Sequence, residues 1–146
     1  MTEKKEQKPV SLEAKSPFDI RIDLGRDVPE TDVRSALASG DMGFLHSFTT
    51  GSTVDGPGVR VVAWTTGCMF RCLYCHNPDT WHLKDGTRVA LERVVARLND
   101  FAPALRAMKG GLTISGGEPL VQAAFSRRIL AAAKSLGLHT AIETSG

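Results

Sequence analysis

Val59-Arg-Val-Val-Ala-Trp-Thr-Thr66 is the stretch on which the fold turns. It is nearly continuous in apolar character and rich in β-branched and aromatic residues. That pattern suits a strand buried on both faces, as in a parallel sheet. Upstream, Phe44 to Thr50 reads as a short strand, and Gly51-Ser-Thr-Val-Asp-Gly-Pro-Gly58 is dense in turn residues. Downstream, Gly67 to Lys84 is a long loop. Leu91, Val94, Val95 and Leu98 recur at helical spacing and predict an amphipathic helix from about Ala90 to Phe101. Leu112 to Ser115 is another short strand, followed by Gly116-Gly117-Glu118-Pro119. Pro119 sits near a helix start, where its missing N–H loses nothing. Leu120 to Leu136 is that helix, Gly137 ends it, and His139 to Glu143 is a further strand. Strand, helix, strand, helix, strand is the sequence form of consecutive βαβ units, hence an α/β fold with a parallel sheet. Such folds place their chemistry in loops after the carboxyl ends of strands. The Gly67 loop, Gly116 to Pro119 and Glu143-Thr144-Ser145-Gly146 all fall at such ends.

The composition excludes several other classes. The chain has 146 residues, of which 42% are hydrophobic, and a formal net charge of +2. One domain with a core follows from those values, and wholesale disorder does not. So weak a charge predicts neither a nucleic-acid partner nor a polybasic membrane surface. No apolar run approaches the ~20 residues of a membrane span, and no secretory h-region follows the first residues. The predicted setting is therefore cytoplasmic. Residues 1–40 read as a polar N-terminal leader, partly disordered. Met1 to Ser16 alternate lysine and glutamate with little to bury, while Glu30 to Ala38 can form a short helix capped by Gly40.

The local anomaly is Cys68-Met-Phe-Arg-Cys72-Leu-Tyr-Cys75, which holds the chain's three cysteines in eight residues. An odd, clustered set is not a disulfide framework. Thiolates are soft ligands for zinc, copper(I) or iron–sulfur clusters. Several readings stand side by side. A structural zinc could use the cysteines with His76, although Cys75 and His76 are adjacent. Cys72-Leu-Tyr-Cys75-His76 also matches the CxxCH pattern of covalent haem, which would leave Cys68 unexplained. A CxxC redox pair and inert cysteines are the other two. The spacing favours an iron–sulfur cluster held at three corners, with the fourth iron open to a small molecule.

Further segments bear on that choice. Thr53-Val-Asp-Gly-Pro-Gly-Val-Arg60, then Gly67 through Cys75-His-Asn-Pro-Asp-Thr-Trp81, then Thr113-Ile-Ser-Gly-Gly-Glu-Pro-Leu120 resemble the radical S-adenosylmethionine superfamily. Within it the chain is similar to the glycyl-radical-enzyme activating enzymes. The resemblance covers roughly Gly43 to Gly146.

The resemblance implies that Cys68, Cys72 and Cys75 bind a [4Fe–4S] cluster whose open iron chelates S-adenosylmethionine. It implies reductive cleavage of that cofactor to a 5′-deoxyadenosyl radical, which abstracts a glycine Cα hydrogen on a formate acetyltransferase-like partner. A flavodoxin or ferredoxin is the implied electron donor. Tyr74 is implied beside the adenine, Gly116 and Gly117 at a close backbone approach, and Glu118 on the cofactor's ammonium group. Glu143 and Thr144 are implied near the methionyl moiety and a monovalent cation, although relatives more often carry Asp at the first position. Asp55, Gly56, Arg60 and His76 are implied on the substrate side, and no side chain is assigned as catalytic beyond the cluster and cofactor. Trp64 and Trp81 read as packing residues. The family builds about six βα units into an open barrel, so a partial (β/α) barrel is expected. Residues 41–146 would be its N-terminal half, truncated after about three strands of the βα series.

Overall fold

The computed structural model describes residues 30–146. Most of the expected polar leader, residues 1–29, lies outside the described residues. The elements are α1 (Glu30–Ser39), β1 (Met42–Ser52), β2 (Arg60–Thr65), β3 (Thr87–Ala90), α2 (Leu91–Ala107), β4 (Gly111–Gly116), α3 (Ala123–Ser135) and β5 (His139–Ile142). Short 3₁₀ turns at Pro78–Thr80, Leu83–Asp85 and Pro119–Gln122 complete the chain.

The five strands form one mixed sheet in the order β3-β1-β2-β4-β5. β2, β4 and β5 run parallel, as the βαβ pattern predicts. β1 is antiparallel to β2, and β3 is antiparallel to β1. β2 is therefore central, which is why five of its six residues are buried. The registers Val61–Leu112 and Ala63–Ile114 align one row of apolar side chains. That row meets Val94, Leu98, Ala102 and Leu105 of α2 and Phe125, Ile129 and Ala133 of α3, forming a single core. The opposite row, Arg60, Val62 and Trp64 beside Thr113 and Ser115, is mostly polar.

Three local differences from the sequence reading have physical causes. The helix expected to end near Phe101 runs on to Ala107 with Pro103 inside it. Ala102 and Leu105 extend the stripe of Val94 and Leu98 into the core, and their burial outweighs the proline's cost. β3 was not expected. Its four residues bury only Val89, and it exists by pairing Thr87 to Ala90 with Leu45 to Met42. The helix expected from Leu120 begins at Ala123, after the 3₁₀ turn. Gln122 leaves helical geometry there (φ −117°, ψ 47°), because its side chain reaches back to β1.

Other expectations are met. α1 occupies the predicted span, ends in a bond from Gly40 N–H to the Leu37 carbonyl, and packs against β1 and α3. Arg128 of α3 is ion-paired with Asp41 at that junction. Gly137 ends α3 with paired bonds. Its N–H donates to Lys134 O (2.9 Å), and Leu138 N–H donates to Ala133 O (3.0 Å), the Schellman arrangement.

Candidate functional site

Parallel strands carry their carboxyl ends to one edge of the sheet. β2 leads there into the cysteine loop, β4 into Gly116 to Pro119, and β5 into Glu143 and Thr144. These segments are bonded to one another. Gly117 N–H donates to Thr65 O (2.9 Å), and Glu118 N–H donates to Gly67 O (2.8 Å). Gly67 is the residue before Cys68, so the turn after β4 is fastened to the threshold of the cysteine loop. Only glycine fits beside that threshold at position 117. A Cβ there would lie 2.5 Å from Gly67 O and 2.9 Å from Thr80 O. Gly116 adopts φ +114°, which lets the chain turn away from β4.

Glu118 is 5% exposed, rare for a carboxylate without partners. Its Oε1 accepts from Leu120 N–H (2.9 Å) and Thr144 Oγ1 (2.6 Å), and its Oε2 accepts from Ser145 N–H (2.9 Å). Burial pushes its pKa up. The bonds from Thr144, Leu120 and Ser145 outweigh that and hold the pKa below the ordinary value, so the group is ionised at neutral pH. A carboxylate offers about four lone-pair sites, so Oε2 retains one for a further donor. Thr144 is thus joined to Glu118, whereas the exposed Glu143 is held through its backbone, with N–H donating to Ile114 O (2.9 Å).

The cysteine loop is pinned at its ends. Gly67 N–H donates to Thr80 O (2.8 Å), and Cys68 N–H donates to Trp81 O (2.9 Å). Arg71 donates to Cys68 O (2.6 Å) and lies over the Trp81 ring, 4.7 Å from its centroid. The return limb is clasped to β1 by His46 Nε2 and Asp79 Oδ2 at 2.9 Å. His76 meets the edge of Trp64 at 6.5 Å between centroids, and Trp64 Nε1 donates to Thr49. Both tryptophans therefore pack, as expected. The tip is open: Leu73 is 103% and Tyr74 89% exposed, and Met69 and Phe70 are exposed as well.

Cys72 is exposed, while Cys68 and Cys75 are half-buried, and all three are free thiols. Among the described residues, no three His, Cys, Asp or Glu side chains converge on one point as ready metal ligands. The donor set nevertheless fits an iron–sulfur group. Three soft sulfurs sit on one loop whose ends are bonded and whose tip is accessible.

Asp55, Gly56 and Arg60 are not brought to this edge. They lie at the amino ends of the parallel strands. Thr113 Oγ1 donates to Asp55 O (2.7 Å), so the turn folds over the polar face of the sheet there, and Ser52 Oγ donates to the Asp55 carboxylate. Arg60 is wholly buried. Its Nε donates to Thr113 Oγ1 (2.6 Å), Nη1 to Pro57 O (2.8 Å) and His139 Nδ1 (3.2 Å), and Nη2 to Leu112 O (2.6 Å) and His139 O (3.4 Å). A guanidinium has five N–H donors, and none is left for a substrate. Burial lowers its pKa, against the attraction of Asp55. The resemblance implies a substrate-side place for Arg60, and its bonds tie β2 to β4, to β5 and to the Pro57 turn. Sequence reasoning did not single out Gln122, Arg71 or the His46–Asp79 clasp. None carries a local signal, since each acts on a partner remote in sequence or on backbone carbonyls.

Residues 54–146 match the family model described as 4Fe-4S single cluster domain. The chain is also similar to the pyruvate formate-lyase-activating enzymes of Staphylococcus aureus strains USA300, NCTC 8325 / PS 47 and COL. With each it is 46% identical over 104 residues, which are 70% of this chain and 41% of the relative. The chain thus spans under half the length of those relatives. No helix among the described residues is long and apolar enough to cross a membrane. With its cysteine loop and the turn after β4 both inside the matched span, the chain belongs to the 4Fe-4S single cluster domain family.

Proposed function

We propose that the chain is the cluster- and cofactor-binding part of a radical S-adenosylmethionine enzyme that activates a formate acetyltransferase-like glycyl radical enzyme. One observation carries this reading. In a chain of the 4Fe-4S family, a buried, ionised carboxylate, Glu118, is bonded through its own N–H to the residue that opens the three-cysteine loop. A thiolate set and an anion held a fixed step away are what a cluster and a cationic cofactor need together.

In this reading Cys68, Cys72 and Cys75 hold a [4Fe–4S] cluster. When bound, the cluster and S-adenosylmethionine would together supply the radical chemistry that removes the Cα hydrogen of a partner glycine. The chain's own residues bind and orient. Glu118 offers the free lone pair of Oε2 to the cofactor's ammonium group. Gly116 and Gly117 keep backbone close to it, and Tyr74 lies open for the adenine. Glu143 and Thr144 flank the methionyl moiety and a monovalent cation. His76 serves the substrate side at the cysteine loop, while the Asp55–Gly56 turn, folded over the polar face of the sheet from the amino ends, lines the substrate's approach along that face, with Arg60 behind it holding the Pro57 carbonyl. Residues 41–146 form part of a (β/α) barrel, against which α1 packs, working in the cytoplasm with a flavodoxin or ferredoxin as electron donor.

The test is anaerobic reconstitution of the chain with iron and sulfide, followed by UV–visible and EPR spectroscopy. A brown, reducible cluster whose EPR signal changes on adding S-adenosylmethionine is expected, and Cys72→Ala is expected to abolish iron binding. Unchanged iron content in Cys72→Ala sinks the ligand assignment, and a colourless zinc-loaded chain sinks the enzyme reading. A glycine-centred EPR doublet on incubation with a formate acetyltransferase separates this activity from radical chemistry on a small molecule.

A further inference from the structure

Gln122 lies outside every motif read from the sequence, yet its side chain joins three elements. Its Oε1 accepts from Phe44 N–H (2.7 Å), and its Nε2 donates to Phe44 O (2.8 Å) and Thr66 O (2.9 Å). The side-chain amide thus pairs with β1 as a neighbouring strand's peptide would. It also completes a ladder. Thr65, Thr66 and Gly67 present consecutive carbonyls as β2 runs toward Cys68. Gly117 N–H takes the first, Gln122 Nε2 the second and Glu118 N–H the third. Two rungs are backbone of the turn itself, and the middle one is a side chain four residues beyond Glu118. Gln122 is the N-cap of α3, where a non-helical backbone (φ −117°, ψ 47°) is ordinary, and that conformation leaves its side chain beside β1.

We infer that Gln122 is a positioning residue that sets the register between the cysteine loop and the Glu118 carboxylate. This inference rests on the reading of Glu118 as the cofactor's carboxylate. Without the amide, Phe44 N–H and the Thr66 carbonyl lose their side-chain partner, and the turn after β4 keeps only its two backbone rungs. The cysteines are untouched, so iron loading should survive while cofactor binding weakens.

The experiment compares the full chain with Gln122→Met, which keeps length but no hydrogen bonds, after anaerobic reconstitution. The expected result is the same iron content, with the concentration of S-adenosylmethionine needed for the EPR change raised at least tenfold. In the ligand-free chains, the Gly117 and Glu118 amides should exchange hydrogen at least tenfold faster in the variant, with amides of the α2 core unchanged. Equal cofactor affinity and equal exchange overturn the inference, as does a parallel loss of iron, cofactor and core protection. Should Gln122→Met fail to fold, wild-type exchange decides. The Phe44, Gly117 and Glu118 amides should open as one group, and independent opening overturns the inference. A wild-type cluster that ignores S-adenosylmethionine defeats the reading of Glu118 instead, while the ligand-free exchange still judges Gln122.

Discussion

Glu118 shows how a single side chain can carry a site and a stability term together. Burial alone pushes its pKa up. Three donors from two different strand ends keep it charged. Its pKa is lowered in the folded chain, so the stability it contributes is present above the unfolded carboxyl value, about 4.3, and is lost as pH falls below it. Glu118→Gln should cost about 1–3 kcal/mol at pH 7, the scale of hydrogen bonds to a charged group. Urea unfolding at pH 7 and near pH 3.5 checks it: the gap between variant and wild type should shrink in acid, and a pH-independent gap would refute the charged state. The sequence singled out Glu118, Gly116 and Gly117 through the SGGEP stretch. It did not reveal that Thr144 and Ser145 supply donors to the carboxylate, because those contacts span more than twenty residues.

At the scale of elements, helix periodicity was the more legible signal and its boundaries the less. Val94 and Leu98 announce α2, but its end is decided by Ala102 and Leu105 meeting the sheet, beyond what Pro103 suggests. Pro103 is exposed, and its ring removes one helix bond. Pro103→Ala should therefore raise stability by about 1–3 kcal/mol, the helix-interior penalty less the entropy the proline removes from the unfolded chain. A higher thermal midpoint is the expected readout, and an unchanged or lower one would show that the helix gains nothing from the missing N–H. β3 lies at the other extreme. Four residues with one buried side chain give no period to read, and pairing with β1 creates the strand. α3 shows a third case, in which a long-range bond from Gln122 delays a helix start.

Across the whole molecule, the parallel trio β2, β4 and β5 divides the chain into two ends. Loops of the candidate site gather at the carboxyl ends, and Arg60 ties the amino ends. It reaches Leu112 and Thr113 in β4 and His139 in β5 from its own place on β2. Arg60→Met should lower stability by about 3 kcal/mol or more, since several buried partners lose a charged donor. Arg60→Lys should not rescue it, because an ammonium cannot reproduce the planar fork. Urea midpoints for both variants check this, and a lysine variant as stable as wild type would show that charge alone suffices.

The sequence by itself determined the βαβ series, the two amphipathic stripes and the triad of cysteines beside SGGEP. Each is written in short-range spacing, which local periodicity and turn chemistry express directly. Only the tertiary structure decided that β1 and β3 extend the sheet antiparallel, that Arg60 faces its own strands, and that Gln122 and Glu118 fasten one loop to another. Those outcomes depend on which backbone donors and acceptors remain unpaired once the core has closed. That is a property of the packed sheet, and no stretch of ten residues contains it.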